Sequence, residues 1–191
     1  MTALPMEKRY TYADYLEWPE GTRVELIYGQ IYDMAPAPST RHQSVSMEII
    51  GQIWAYLRGK TCKVFAAPFD VRLFEEEGDQ SDETDTVVQP DITVICDPSR
   101  LDARGYRGAP HMVAEILSPT TRGHDMLTKF HLYQRAGVRE YWLVDTENKT
   151  VQVFILQNGS YVASVYGPGD KIKLSVLEDC QVDLTPVFVQ S

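Results

Sequence analysis

Two acids stand where acids are costly. Asp91 follows Pro90 at the head of the apolar run QPDITVICD, and Glu115 lies twenty-four residues further on, inside a second apolar run, MVAEILS. A carboxylate within an apolar strand needs a partner, because burying it unpaired is expensive. A divalent cation held between the two would be such a partner, since Mg2+ prefers oxygen ligands and takes one or two protein carboxylates together with waters. An arginine in a structural salt bridge, or a turn capped by Asp91, would satisfy them as well. The residues alone leave both explanations open.

A third group follows closely. Asp125 and Lys129 stand four residues apart in TRGHDMLTKFHLYQRAGV, where Met126, Phe130 and Tyr133 share one helical face and Gly137 makes a good C-cap. In isolation such a pair is a surface ion pair worth about 0.3 kcal/mol. The helix directly follows the Glu115 strand, however, and so brings Lys129 back towards the acids.

The elements that must position these groups can be read from periodicity and turn residues. Thr11 to Trp18 predicts a short helix capped by Thr11. RVELIYGQIYDM predicts two short strands around Tyr28-Gly29-Gln30, with Val24, Leu26 and Tyr28 on one face and Arg23, Glu25 and Ile27 on the other. Ser39 caps a helix running to about Arg58, closed by Gly59. Strands are expected over Lys63 to Phe74 and Thr86 to Cys96, joined by the run EEEGDQSDETD, read as a solvated loop. A polar loop from Asp97 to Pro110 precedes the Glu115 strand. Strand, helix and the strand REYWLVD then form a parallel crossover. VQVFIL and SYVASVY form a hairpin at Asn158-Gly159, and the tail to Val189 adds one or two short strands. The expectation is one α/β domain over 1–191, a mixed β-sheet flanked by helices, with an N-terminal αββα unit and extra C-terminal strands.

Composition bounds the function. The chain has 191 residues, 43% of them hydrophobic, with a net charge of −9. The acidic run Glu75–Asp85 carries seven of the acids, and Arg100–Arg139 holds seven basic residues against three acidic ones. The surface is therefore expected to be mixed in sign, with one basic region, and not the strongly basic footprint of a dedicated DNA binder. No apolar run is long enough for a membrane span, and the N-terminus lacks a signal-like apolar stretch, so a cytoplasmic protein is expected. Cys62, Cys96 and Cys180 lie far apart without CxxC spacing and read as reduced thiols, with no disulfide and no zinc site. HExxH and GxxxxGK[ST] are absent, which argues against zinc hydrolysis and nucleotide hydrolysis.

QPDI and VAEILSPTTRGHDMLTKFHLYQRAGVREYWLVD, with RVELIYGQIYDMAPAPSTRHQ upstream, resemble a bacterial restriction-endonuclease-domain family within the PD-(D/E)XK nuclease superfamily. The resemblance runs from about Tyr10 to Val189. It implies a restriction-endonuclease-like fold and Mg2+- or Mn2+-dependent hydrolysis of phosphodiester bonds, with DNA the expected substrate. Pro90-Asp91 and Glu115 match the motif. Leu117 stands where the motif has lysine, and Lys129 fits that role by position on the following helix. By the same resemblance Asp91, Glu115 and the Ile116 carbonyl would hold the metal, Asp125 would orient Lys129 or touch the metal through water, and Glu25 would supply a supplementary acid. Arg122, His42 and the Arg100–Arg107 loop would offer phosphate contacts, although a surface histidine is the plainer reading of His42. The rival to an enzyme is a nucleic-acid- or partner-binding module on the same fold. A homodimer through the C-terminal strands is the expected assembly.

Overall fold

The computed structural model describes residues 8–19, 21–34, 38–75, 78–117 and 124–189. Its strands do not lie in one sheet. One six-stranded sheet holds, in spatial order, β2 (Gln30–Asp33), β1 (Val24–Ile27), β5 (Val87–Val88), β4 (Val71–Arg72), β8 (Gly105–Arg107) and β7 (Leu101–Asp102). The other holds β12 (Ser160–Tyr166), β11 (Thr150–Gln157), β10 (Glu140–Asp145), β9 (Met112–Leu117), β6 (Ile92–Ile95) and β3 (Lys63–Ala66). A two-stranded ribbon, β13 (Lys171–Lys173) with β14 (Gln181–Asp183), completes the set. Both large sheets are mixed: β9 and β10 pair in parallel, as do β4 and β8, within otherwise antiparallel ladders.

Among the described residues the chain passes between the two sheets five times, from β2 to β3, β3 to β4, β5 to β6, β6 to β7 and β8 to β9, and the last four passages each hold a proline (Pro68, Pro90, Pro98 and Pro110). The expected strand Lys63 to Phe74 breaks at Pro68 into β3 and β4, and Thr86 to Cys96 breaks at Pro90 into β5 and β6. Pro110 stands between β8 and β9, within what reads in sequence as a polar loop. Proline has no N–H to continue a ladder, so each is a natural place for a strand to leave its sheet.

Helices cover the faces. α2 (Thr40–Leu57) is capped by Ser39, whose Oγ accepts the His42 N–H at 3.2 Å. It buries Val45, Ile49, Ile53 and Leu57, four residues apart, against Ile92, Val94, Ala114 and Trp142. α4 (Leu184–Val189), not expected from the sequence, closes the same core with Val187 and Phe188. α3 (His124–Ala136) lies in the crossover between β9 and β10 and buries Leu132 and Tyr133 in a second core with Val71, Val88, Val113 and Tyr141. Gly137 ends α3 at φ +86°, with its N–H and that of Val138 both donated to the Tyr133 carbonyl. α1 (Tyr12–Leu16) covers the outer face of β1 through Tyr12, Leu26 and Val87. Both faces of β1 are thus covered, and all four of its residues are buried in spite of the alternating pattern. No helix among the described residues is long and apolar enough to cross a membrane.

Two expectations are overturned. Cys62 and Cys96 form a disulfide (S–S 2.06 Å), because the β3–β6 register that pairs Lys63 with Ile95 sets the cysteines opposite one another one step further on. Thirty-four residues of sequence separation hid that proximity. The acidic run is also not simply solvated: Glu75 is 2% exposed and bound by the buried Arg72 guanidinium at 2.9 Å, while Asp85 is bonded by Arg9 at 2.7 Å.

Candidate active site

Asp91 sits where the chain passes from one sheet to the other, between β5 and β6. One step beyond the Ile92–Ala114 pair, the β6–β9 register sets Asp91 opposite Glu115. The two acids are thus neighbours across the ladder, and the charge of Asp91 is felt at Glu115. Glu115 takes the face of Val113, towards α3 and the first sheet, whereas Asp91 is held at the ladder's end by groups from α2 and β9. The crossover then returns Lys129, whose Nζ lies 3.0 Å from Glu115 Oε1 and 3.0 Å from both oxygens of Glu25 on β1. Lys129 and Glu115 each expose only 12% of their side chains and Glu25 exposes 6%, so this is a buried three-way ion pair and not a surface pair on one helix.

His42 is a correction to the surface reading. From the first turn of α2 its ring turns inward, 11% exposed, with Nε2 3.1 Å from Asp91 Oδ2. The same Asp91 oxygen accepts the Ile116 N–H at 2.8 Å, and the Ile116 carbonyl lies beside the His42 ring. His42 is therefore a partner of Asp91 and not an outward phosphate contact. Arg122 and the side chain of Asp125 fall outside the described residues. The Arg100–Arg107 loop is less available than its composition suggests, because each cation faces a local acid: Arg100 with Asp97 (3.7 Å), Arg104 with Asp82 (3.8 Å) and Arg107 with Asp102 (4.0 Å).

Two residues escape a sequence reading. Tyr133, one turn beyond Lys129 on α3, donates its O–H to Glu115 Oε1 at 2.6 Å. Its i+4 spacing from Lys129 was a signal, but in sequence it counts as an apolar face residue. Gln89, immediately before Pro90-Asp91, donates its backbone N–H to Glu25 Oε1 at 2.9 Å. Its side chain reaches Asp70 Oδ1 (2.7 Å) and the Tyr15 hydroxyl (3.0 Å), tying the motif to α1.

The electrostatics follow from crowding acids away from water. Burial pushes the Glu115 carboxyl up to about 7; Asp91 and Glu25 push the same way, while Lys129 and the Tyr133 hydroxyl pull it down. Burial disfavours the Lys129 ammonium, yet the charges of Glu115 and Glu25 outweigh it and hold the ammonium protonated. His42 is likewise raised, burial opposing and the bond to Asp91 prevailing. Three carboxylates thus share one ammonium and one histidine.

Among the described residues no three His, Cys, Asp or Glu side chains form a ready cage for a metal ion. Mg2+ does not require one, because it is bound through one or two carboxylates and keeps several waters. The donor chemistry here fits that habit. Both bonds to Asp91 fall on Oδ2 and both bonds to Glu115 fall on Oε1, so Asp91 Oδ1 and Glu115 Oε2 accept no hydrogen bond among the described residues.

Two mixed sheets flanked by helices, with facing acids at the point where the chain changes sheet, define a nuclease-like α/β fold. The same fold is seen in the crystal structure of "a putative nuclease belonging to DUF820" from Anabaena variabilis, which this chain matches with a TM-score of 0.74 at 22% identity, over 93% of this chain and 97% of that one. The chain belongs to the Uma2 family, described as "Putative restriction endonuclease", whose model matches residues 12–185. It is also similar to two proteins of Synechocystis sp. The uncharacterized protein slr1290 is 26% identical over 84% of this chain and 82% of its own length. The uncharacterized protein sll1609 is 25% identical over 76% of this chain and 80% of its own.

Proposed function

We propose that this protein is a metal-dependent endonuclease that hydrolyses phosphodiester bonds in DNA. One observation carries the reading: the Lys129 ammonium, fourteen residues from Glu115 in sequence, lies 3.0 Å from it, and Asp91 stands opposite Glu115 one step beyond the β6–β9 pairs. That arrangement supplies the two acids and one lysine of the superfamily motif, although Leu117 holds the usual lysine position.

Asp91, Glu115 and the Ile116 carbonyl would hold the metal. When bound, Mg2+ or Mn2+ neutralises charge at the scissile phosphate and lowers the pKa of water. Lys129 faces the same point and stabilises the negative charge that grows on the phosphate in the transition state. Glu25 fixes the ammonium in a two-oxygen grip, and His42 with the Ile116 N–H fixes Asp91. Asp125 is assigned by position the task of orienting Lys129, and Arg122 a contact to a neighbouring phosphate. The assembly proposed is a homodimer paired through β12. This seven-residue edge strand carries no charge and exposes Val162 and Val165, and unguarded edges invite pairing.

The test is nicking of supercoiled plasmid with Mg2+ or Mn2+, wild type beside Asp91→Asn and an EDTA control. Metal-dependent nicking lost in both controls is expected. Equal nicking by the Asp91→Asn protein would sink the assignment. A second reading, a binding module that does not cut, is favoured by the pairing of Arg100, Arg104 and Arg107 with acids. Mn2+ binding without cleavage of any DNA or RNA form would support it.

A further inference from the structure

Glu140 and Glu115 are both acids within apolar strands of the same sheet, and they are partnered differently. Glu140 is fully buried and has donors on both oxygens: Trp142 Nε1 on Oε1 (2.7 Å), and Ser175 N (2.6 Å), Ser175 Oγ (2.6 Å) and Val176 N (3.3 Å) on Oε2. That is the pattern of a carboxylate whose only task is to tie the fold together, since a buried acceptor left unpaired costs stability.

Glu115 is loaded on one side only. Lys129 and Tyr133, one helical turn apart on α3, converge on Oε1 at 3.0 and 2.6 Å, and Oε2 takes no hydrogen bond among the described residues. A buried phenol does not need a carboxylate for its own satisfaction. Tyr161, nearby in the same core, donates instead to the Val138 backbone carbonyl at 2.9 Å. Two donors on one oxygen define the rotation of the carboxylate about its last bond, and they leave the second oxygen for another positive partner.

We propose that Tyr133 is a positioning residue of the metal site: its hydroxyl locks the Glu115 carboxylate on Oε1 and thereby presents Oε2 to a divalent cation shared with Asp91. This rests on the metal-site reading above and adds to it the residue that orients one of the two ligands. Tyr133 touches neither the cation nor the substrate. Its ring is held edge-on by Tyr141, with centroids 5.2 Å apart, so the hydroxyl has a fixed origin. Partners that orient a metal ligand in this way typically account for about 10–100-fold in metal affinity.

The experiment is calorimetric titration of the full chain with MnCl2, needing no substrate, on wild type, Tyr133→Phe and Tyr161→Phe. Phenylalanine keeps the ring and its packing, and circular dichroism checks the fold of each variant. The expected result is that Tyr133→Phe binds Mn2+ about 10-fold more weakly, whereas Tyr161→Phe melts earlier but binds Mn2+ as wild type does. Unchanged Mn2+ affinity in Tyr133→Phe would overturn the positioning role while leaving the metal site standing. An equal loss in both variants would also overturn it, because the effect would then come from general loosening of the core. Wild type that binds no Mn2+ would remove the metal-site reading itself, and the positioning role with it.

Discussion

Replacing Lys129 by methionine keeps an unbranched side chain, one atom shorter, and removes its charge. Glu25 and Glu115, whose side chains are 6% and 12% exposed, would then face each other without the ammonium that now sits 3.0 Å from each. Removing one partner of a buried ion pair costs about 3–5 kcal/mol, because an uncompensated charge is left behind. The site opens to solvent at its edge, and Glu115 escapes part of the cost by taking up a proton, so the lower end, about 3 kcal/mol, applies. For a chain of this length each kcal/mol moves Tm by about 2–4 °C, which predicts a fall of roughly 6–12 °C. The assay is calorimetric unfolding at neutral pH in EDTA, so that metal binding does not contribute. Adding Glu25→Gln to Lys129→Met removes one orphaned charge and should regain part of the loss. A Lys129→Met protein melting within about 2 °C of wild type would refute the reasoning. The lysine would then contribute no more than the surface pair that its helical spacing with Asp125 suggests.

Two further outcomes are expected. The Cys62–Cys96 bond closes a loop of 34 residues' separation, worth roughly 3–4 kcal/mol in chain entropy. Dithiothreitol should therefore lower the Tm of wild type and leave Cys62→Ser unaffected; finding three titratable thiols in the unfolded, unreduced protein would show that the bond is not made. At Gly105, φ is +134° and a Cβ would lie 2.1 Å from the Asp70 carbonyl oxygen. Gly105→Ala should cost about 2–3 kcal/mol in urea unfolding, because the displaced backbone also carries the Asp70 carboxylate bonded by Tyr12, Tyr15 and Gln89. An unchanged urea midpoint would show that the turn relaxes freely.

Local signals were legible wherever the physics is local. Ser39 before α2, Gly137 after α3 and Asn158-Gly159 between β11 and β12 act within a few residues of themselves, and each lies where the sequence reading puts it. Asn158 and Gly159 both take positive φ, as a two-residue hairpin turn requires. The parallel crossover from β9 through α3 to β10 was readable for the same reason, since strand, helix and strand are consecutive elements of the described chain. Asp91 and Glu115 were conspicuous because acids in apolar runs are rare and demand an explanation.

What only the tertiary structure decided is which distant groups meet. Periodicity could not tell that Lys63–Phe74 and Thr86–Cys96 each divide between two sheets, because Pro68 and Pro90 signal a break and not where the chain goes next. That division sets β1 beside β5 and so brings Glu25 to Lys129 across 104 residues of chain. It also draws His42 inward onto Asp91 and Cys62 against Cys96. The alternation along β1 left open which way Glu25 faces; covering both sides of that strand removed solvent as a choice. The sequence by itself determined which residues carry charge and which segments become strands or helices, since those depend on neighbours in the chain. The register between segments, set by the packing of two cores, determined that three acids, a lysine, a histidine and a tyrosine form one site.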